Sequence, residues 1–243
     1  PLSVKSVLAS YTLSLAVFIP ISGWMADRFG TRRVFAAAIG FFSLGSLLCG
    51  LATSIEMLVA FRILQGMGGA MMMPVGRMTL ARTYDKADLV KAMSFVAIPS
   101  LVGPMVGPVA GGAIVHWLHW SVVFFVNIPV GLIGLFYVLR HLPDYRESQV
   151  HPLDFAGLVL FGGGIALLAY VLEVCGDHTH GPVEIVGMLA VSAALLAGYG
   201  IRTTLTKFPL LDLTLLRIRT FRAAVSGGFF TFCLMAEQVA ALL

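Results

Sequence analysis

The stretch Val34 to Ala52, VFAAAIGFFSLGSLLCGLA, carries no charged residue and directly follows GWMADRFGTRR at Gly23 to Arg33. As a helix at ~1.5 Å per residue it reaches about the ~30 Å of a bilayer's hydrocarbon core. Backbone amides and carbonyls find no water there, so the segment is stable only as a helix that satisfies its own polar groups. The charged run before it marks where the chain leaves the membrane. Outward from this stretch the pattern repeats. It predicts eight spans, roughly Lys5 to Met25, Val34 to Ala52, Met57 to Leu80, Ala92 to Val115, Ser121 to Leu139, Asp154 to Glu173, Val183 to Ile201 and Phe221 to Leu243. No alternating strand pattern of barrel type appears. The predicted fold class is all-α, polytopic in the membrane.

Composition excludes a water-soluble domain. Hydrophobic residues make up 58% of the 243-residue chain and charged residues 12%, against roughly 25% charge in ordinary globular domains. The net charge of +4 does not point to nucleic acid, because the basic residues flank the spans. Cys49, Cys175 and Cys233 are too few and scattered for a disulfide framework.

Short cytoplasmic loops collect lysine and arginine. The loops after spans one, three, five and seven hold Arg28, Arg32 and Arg33; Arg82, Lys86 and Lys91; Arg140 and Arg146; and Arg202, Lys207, Arg217, Arg219 and Arg222. The loops after spans two, four and six hold none, and only Lys5 lies on the opposite side. Residues 26–33, 81–91, 140–153 and 202–220 are therefore predicted to be cytoplasmic. The first span then begins outside, on Pro1, and the last runs to Leu243 without a flanking loop. Both points lead us to expect a fragment of a longer chain, lacking at least one upstream helix.

Four stretches carry chemistry. The first loop combines Gly23, Asp27, Arg28, Gly30, Arg32 and Arg33: glycines permit a tight reversal, and fixed charges can pair with or cap helix ends. In span three, Arg62, Gln65, Gly66 and Gly69 fall on one helical face. Arg62 lies ~7 Å inside its helix, where an unpaired charge costs several kcal/mol unless it snorkels or finds a partner. In span four, Gly103, Gly107 and Gly111 recur every fourth residue, with Gly112 beside them and Pro104 and Pro108 interrupting the ladder; a bent, closely packed helix is expected. Met71, Met72 and Met73 follow the Arg62 face, and flexible thioethers suit varied lipophilic ligands. The fourth stretch, Trp120 to Gly131, reads WSVVFFVNIPVG.

Taken in order, these stretches resemble the signatures of the major facilitator superfamily: the Gly-x3-Asp-Arg-x-Gly-x-Arg-Arg loop, the Arg-x2-Gln-Gly helix, and the glycine-proline antiporter helix. Trp120 through Asn127-x-Pro129-x-Gly131, together with two extra spans and their linker, is similar to the fourteen-helix drug:proton antiporters. The arginine common beside the tryptophan is absent, with His119 and Ser121 in its place. The resemblance implies a proton-coupled exporter of hydrophobic or amphipathic small molecules working by alternating access between two pseudo-symmetric halves. It implies residues 1–140 as the first transport domain without its first helix, 141–220 as two linking helices with loops, and 221–243 as the start of the second domain. Asp27 and Arg28 would belong to a latch between the halves, Arg62 and Gln65 to proton coupling, and Gly103, Gly107, Pro108, Gly111 and Gly112 to an antiporter hinge. On residue type alone, Gly69, Met72 and Met73 are candidates for a substrate cavity, with ordinary lipid or core contact the stronger reading for most of the methionines. The implied partners are a small-molecule substrate, protons and the lipid bilayer, in a monomer in a bacterial inner membrane, with no cofactor, metal or nucleic acid.

Glu237, about sixteen residues into the last span beside Gln238, is a further proton-site candidate, balanced evenly by the reading that its rise carries it towards the outer face, where the acid is simply wet. Cys175, Asp177, His178 and His180 include zinc-ligand types, but their spacing matches no common site and a solvated loop is the stronger reading. His116 and His119 between Trp117 and Trp120 read as an interfacial belt. Three other functions fit less well. A carrier of a polar metabolite or organic anion would use Arg62 and Arg77 as counter-charges. A membrane-embedded enzyme would need convergent nucleophiles or metal ligands, and a passive channel needs a filter repeat; neither is present in the sequence.

Overall fold

The computed structural model describes residues 4–174 and 181–228. Helices α1 (Val4–Phe29), α2 (Thr31–Gly50), α3 (Ile55–Thr83), α4 (Lys86–Trp117), the single turn α5 (Val122–Phe125), α6 (Asn127–His141), α7 (Phe155–Val174) and α8 (Pro182–Leu205) follow one another, with a 3-10 turn at Leu213–Arg217. Residues 219–228 are again helical, and no strand occurs among the described residues. Among the described residues seven helices are long and apolar enough to span a membrane, α5 and α6 acting as one. The predicted eighth span starts in 219–228, but residues 229–243, with Glu237, lie outside the described residues, as do residues 175–180.

The central element is α3, packed against α1 on one side and α2 on the other, while α6 covers α2 and the α7–α8 pair rests on α1. Glycine makes this closeness possible. A Cβ on Gly68 would lie 2.5 Å from the Phe42 amide nitrogen and 2.6 Å from the Ala38 carbonyl oxygen, and one on Gly45 would lie 2.7 Å from the Gln65 Cα. At that separation backbone meets backbone, the packing that small residues give helices in lipid. Towards the charged end the seam becomes an apolar cluster of Ala26, Val34, Ala38, Met71 and Val75, against which Met72 also packs.

Local chemistry explains the ends. The Ser54 side chain accepts from the Met57 amide and starts α3, with Glu56 in its first turn. Between α5 and α6, Pro129 has no N–H to offer the Phe125 carbonyl, and the predicted single span is broken at Val126.

Two predicted loops are corrected. Of residues 26–33, only Gly30 is non-helical, because α1 runs through Phe29 and α2 starts at Thr31. Of residues 81–91, only Tyr84 and Asp85 lie between α3 and α4. Charges end the apolar run without ending the helix: Asp27 and Arg82 find partners at the helix ends, as described below. Gly30 makes the reversal alone, with φ 96° and ψ 143°, in backbone territory essentially reserved for glycine. Gly30→Ala should cost about 1–3 kcal/mol, and its Cβ would also press on the Asp144 carboxyl group. A melting temperature lowered by roughly 2–4 °C per kcal/mol is the expected result in detergent-solubilised protein.

The close packing expected along Gly103, Gly107, Gly111 and Gly112 is not found among the described residues. A Cβ at any of the four meets nothing within 4 Å, Pro108 is exposed, and α4 makes little contact with the other helices. The helix is unbroken from Lys86 to Trp117.

Candidate functional site

Gln65 anchors a polar centre in the middle of the packed helices. It is 2% exposed, and both ends of its amide are used: Arg62 Nη1 donates to Oε1 at 3.0 Å, and Nε2 donates to Ser46 Oγ of α2 at 2.6 Å. Asn127 of α6 donates to the same hydroxyl at 3.3 Å. Three helices therefore share one chain of hydrogen bonds, the arrangement expected where an unsatisfied polar group in hydrocarbon is expensive.

Arg62 is enclosed by π-faces rather than by acids. Its guanidinium carbon lies 5.3 Å from the Tyr11 ring centroid and 4.9 Å from that of Phe124. Both distances suit a cation–π contact, which strengthens as water is removed. Its Nε is buried without a hydrogen-bond partner, and no carboxylate pairs with it among the described residues. The predicted stripe is thus brought together: Gly66 lies against Ser14, and Gly69 against Leu15 and the Tyr11 hydroxyl. Met72 joins the apolar cluster and Met73 is 43% exposed. Arg77, the alternative counter-charge, is exposed.

At the charged end, Arg82 of α3 bridges Asp27 Oδ1 and Glu147 Oε1, both at 2.9 Å. The Glu147 amide donates to the Asp27 carbonyl at 3.1 Å, and the Thr31 amide to the Tyr145 carbonyl at 2.9 Å. Asp144 accepts from the Arg32 amide at 3.0 Å and faces Arg33 Nε at 3.9 Å. Arg28 instead lies over Trp24, 5.3 Å from its ring centroid. The segment after α6 thus folds back over the first loop. All four basic loops meet at one end, since Asp27 and Lys207 also share a cavity wall.

Sequence reasoning did not find Tyr11, Ser46, Phe124, Asp144 or Glu147, and read Arg82 only as a marker of topology. Asp144 and Glu147 had one legible signal: carboxylates in otherwise basic flanks. For Ser46 and Tyr11 no pattern stands out from ordinary span composition.

A second lock holds α7 to α8. Asp154, 8% exposed, accepts at Oδ1 from Arg202 Nε at 2.9 Å, from Arg202 Nη2 at 2.8 Å and from the Gly157 amide at 2.9 Å. Burial pushes the Asp154 carboxyl up, but the Arg202 and Gly157 hydrogen bonds with the Arg202 charge outweigh it and hold the group below its usual range. A carboxyl lowered on folding contributes stability above its unfolded pKa of about 3.9, lost as pH falls through the lower folded value. Asp154→Asn should therefore remove part of the loss of stability below about pH 4, checked by melting curves at stepped pH against the parent.

A Major Facilitator Superfamily profile matches residues 1–243. The "Putative multidrug resistance protein MdtD" of Escherichia coli O45:K1 (strain S88 / ExPEC) is 39% identical over 229 residues, covering 94% of this chain and 48% of the relative. The protein of the same name from Escherichia coli O81 (strain ED1a) matches with the same identity and coverage. The chain spans about half the length of the curated relatives it matches, 48% in each case. With the expected signatures on seven membrane-length helices and a match along its whole length, this integral membrane chain belongs to the Major Facilitator Superfamily, a family of transporters rather than enzymes.

Proposed function

We propose that this chain serves a secondary active transporter that exports hydrophobic or amphipathic small molecules in exchange for protons, by alternating access. The observation that carries the proposal is Arg62: a cation at span depth, tied through Gln65 and Ser46 to two further helices, with a buried Nε left unpartnered. Such a group biases any acid that approaches it, and so can report a proton's arrival to the packing of α2, α3 and α6. The printed name of the E. coli relatives, multidrug resistance, supports an exporter of varied substrates. In this reading residues 1–140 form the first transport domain, 141–220 the linking pair, and 221–243 the start of the second domain. The basic end faces the cytoplasm of a bacterium, and Asp27, Arg82 and Glu147 form the gate there.

The test is efflux of a lipophilic cation by the full-length protein in everted membrane vesicles. Efflux that starts with an imposed proton gradient and stops when the gradient is collapsed supports antiport. Efflux indifferent to the gradient overturns it.

A second reading, transport of an organic anion, takes Arg62, which pairs with no carboxylate among the described residues, as a counter-charge site. An anionic dye carried in preference to the cation would favour it. Exposed Arg77 gives that reading no second cation in the stripe.

A further inference from the structure

The stretch from Trp120 to Gly131 turns one face towards the Arg62 centre. Val126, between α5 and α6, keeps helical angles of φ −58° and ψ −30°, so Phe124, Asn127 and Gly131, spaced by three and four, fall on the same side. Each of the three meets the packed helices. Phe124, 8% exposed, presents its ring to the Arg62 guanidinium at 4.9 Å. Asn127 donates to Ser46 Oγ at 3.3 Å. Gly131 lies so close to α2 that a Cβ there would overlap the Ser43 hydroxyl. From the other side, a Cβ on Gly50 of α2 would overlap the Phe125 ring. Glycines on both partners thus let α5 and α6 seat on α2.

Two routes lead from Asn127 to Arg62. The first runs through hydrogen bonds. A guanidinium only donates, so Arg62 takes Gln65 Oε1 and leaves Nε2 for Ser46. Ser46 is 0% exposed, and its hydroxyl oxygen accepts from both Gln65 and Asn127. The second route is mechanical. The bond to Ser46 is the one side-chain hydrogen bond that α6 makes to α2 among the described residues. It holds the stretch where Phe124 can cover the guanidinium.

We propose that Asn127 is a positioning residue for Arg62, fixing Gln65 through Ser46 on one side of the guanidinium and Phe124 on the other. The proposal rests on the reading of Arg62 as the proton-coupling cation. Tyr11 of α1 and Cys49 of α2 are the titratable groups whose charge acts on Arg62 among the described residues.

Two measurements on the full-length protein test it. In everted vesicles, the pH midpoint of gradient-driven efflux of a lipophilic cation is read for Asn127→Leu, Gln65→Leu and Ser46→Ala at matched protein levels. Each should move the midpoint in the same direction by about 0.5–1 pH unit, the size of one net hydrogen bond. Asn127→Leu and Ser46→Ala together should move it no further than the larger single change. The second measurement needs no transport. Cys49 is 0% exposed on α2 and feels the Arg62 charge. With all other cysteines replaced by serine, its labelling by N-ethylmaleimide in detergent should be about 10-fold faster in Asn127→Leu. In an Arg62→Ala background the same substitution should add nothing. A lowered melting temperature with an unmoved pH midpoint, or labelling that Asn127→Leu speeds equally with and without Arg62, would make Asn127 a packing tie and overturn the proposal. Where Asn127→Leu does not fold, Asn127→Ser, polar but too short to reach Ser46, takes its place. A parent without gradient-driven efflux whose Cys49 labelling still depends on Asn127 through Arg62 would lose the export reading and keep the positioning.

Discussion

Arg62→Ala in the full-length protein should reduce gradient-driven efflux of a lipophilic cation by on the order of 100-fold, with the amount of protein in the membrane little changed. A hydrogen bond to a charged group contributes about 1.5–3 kcal/mol, and each ~1.4 kcal/mol is a factor of ten. The variant loses the bond to Gln65 Oε1 and both ring contacts. Gln65 keeps its bond to Ser46 and Ser46 keeps Asn127, so the link between α2, α3 and α6 survives in part. That is why folding should persist while coupling fails. Arg62→Lys separates charge from shape. An ammonium group keeps the charge but lacks the planar fork that meets an amide and two rings together, so an intermediate loss is expected. Everted-vesicle efflux at matched protein levels, with the melting temperature as control, decides it. Efflux near the parent's with Arg62→Ala would remove Arg62 from the coupling path. A melting temperature that falls in step with efflux would make it a structural tie only.

The readings that succeeded and those that missed separate along one physical line. Hydropathy reports where water ends, so all spans within the described residues emerged from the sequence, and the Arg62 stripe stood out because a charge within a span is costly. Hydropathy does not report where a helix ends. Asp27, Arg28, Arg82 and Lys86 interrupt the apolar runs, yet α1 and α3 continue past them and α4 starts at Lys86, because charged residues outside the hydrocarbon are compatible with helix. The fold-back of the segment after α6 was illegible for another reason. Its bonds join Thr31 to Tyr145, Asp27 to Glu147 and Trp24 to His151, more than a hundred positions apart; the first two are backbone amide-to-carbonyl contacts without a residue signature, and the third is the Trp24 indole donating to a backbone carbonyl, which no partner residue type marks. The glycines tell the same story. Spacing picked out Gly103, Gly107 and Gly111, which meet nothing among the described residues, and gave no reason to pick Gly45 and Gly68, which face a backbone across the α2–α3 seam.

That seam carries the largest stability effect we expect. In Gly68→Leu the Cβ alone would fall 2.5 Å from the Phe42 amide nitrogen, 2.6 Å from the Ala38 carbonyl oxygen and 2.9 Å from the Phe42 Cα. All three are backbone atoms, so no rotamer change on the partner helix can yield; α2 and α3 must move apart. Separation would also pull Gln65, one turn earlier on α3, away from Ser46. The cost should reach or exceed the top of the ~1–3 kcal/mol seen for overpacked cores, a large part of a typical total stability of about 5–15 kcal/mol. The expected result is loss of the monodisperse peak on size exclusion in detergent, or a melting temperature too low to measure. Gly76→Ala is the matched control. Its Cβ would sit 3.4 Å from a Phe35 ring carbon, a side chain free to give, and alanine favours helix over glycine by about 1 kcal/mol, so that variant should melt at or above the parent. Parent-like chromatography and melting for Gly68→Leu would mean that α2 and α3 stand further apart than this packing requires, and that the Arg62–Gln65–Ser46 chain crossing the same seam is not held at hydrogen-bonding distance.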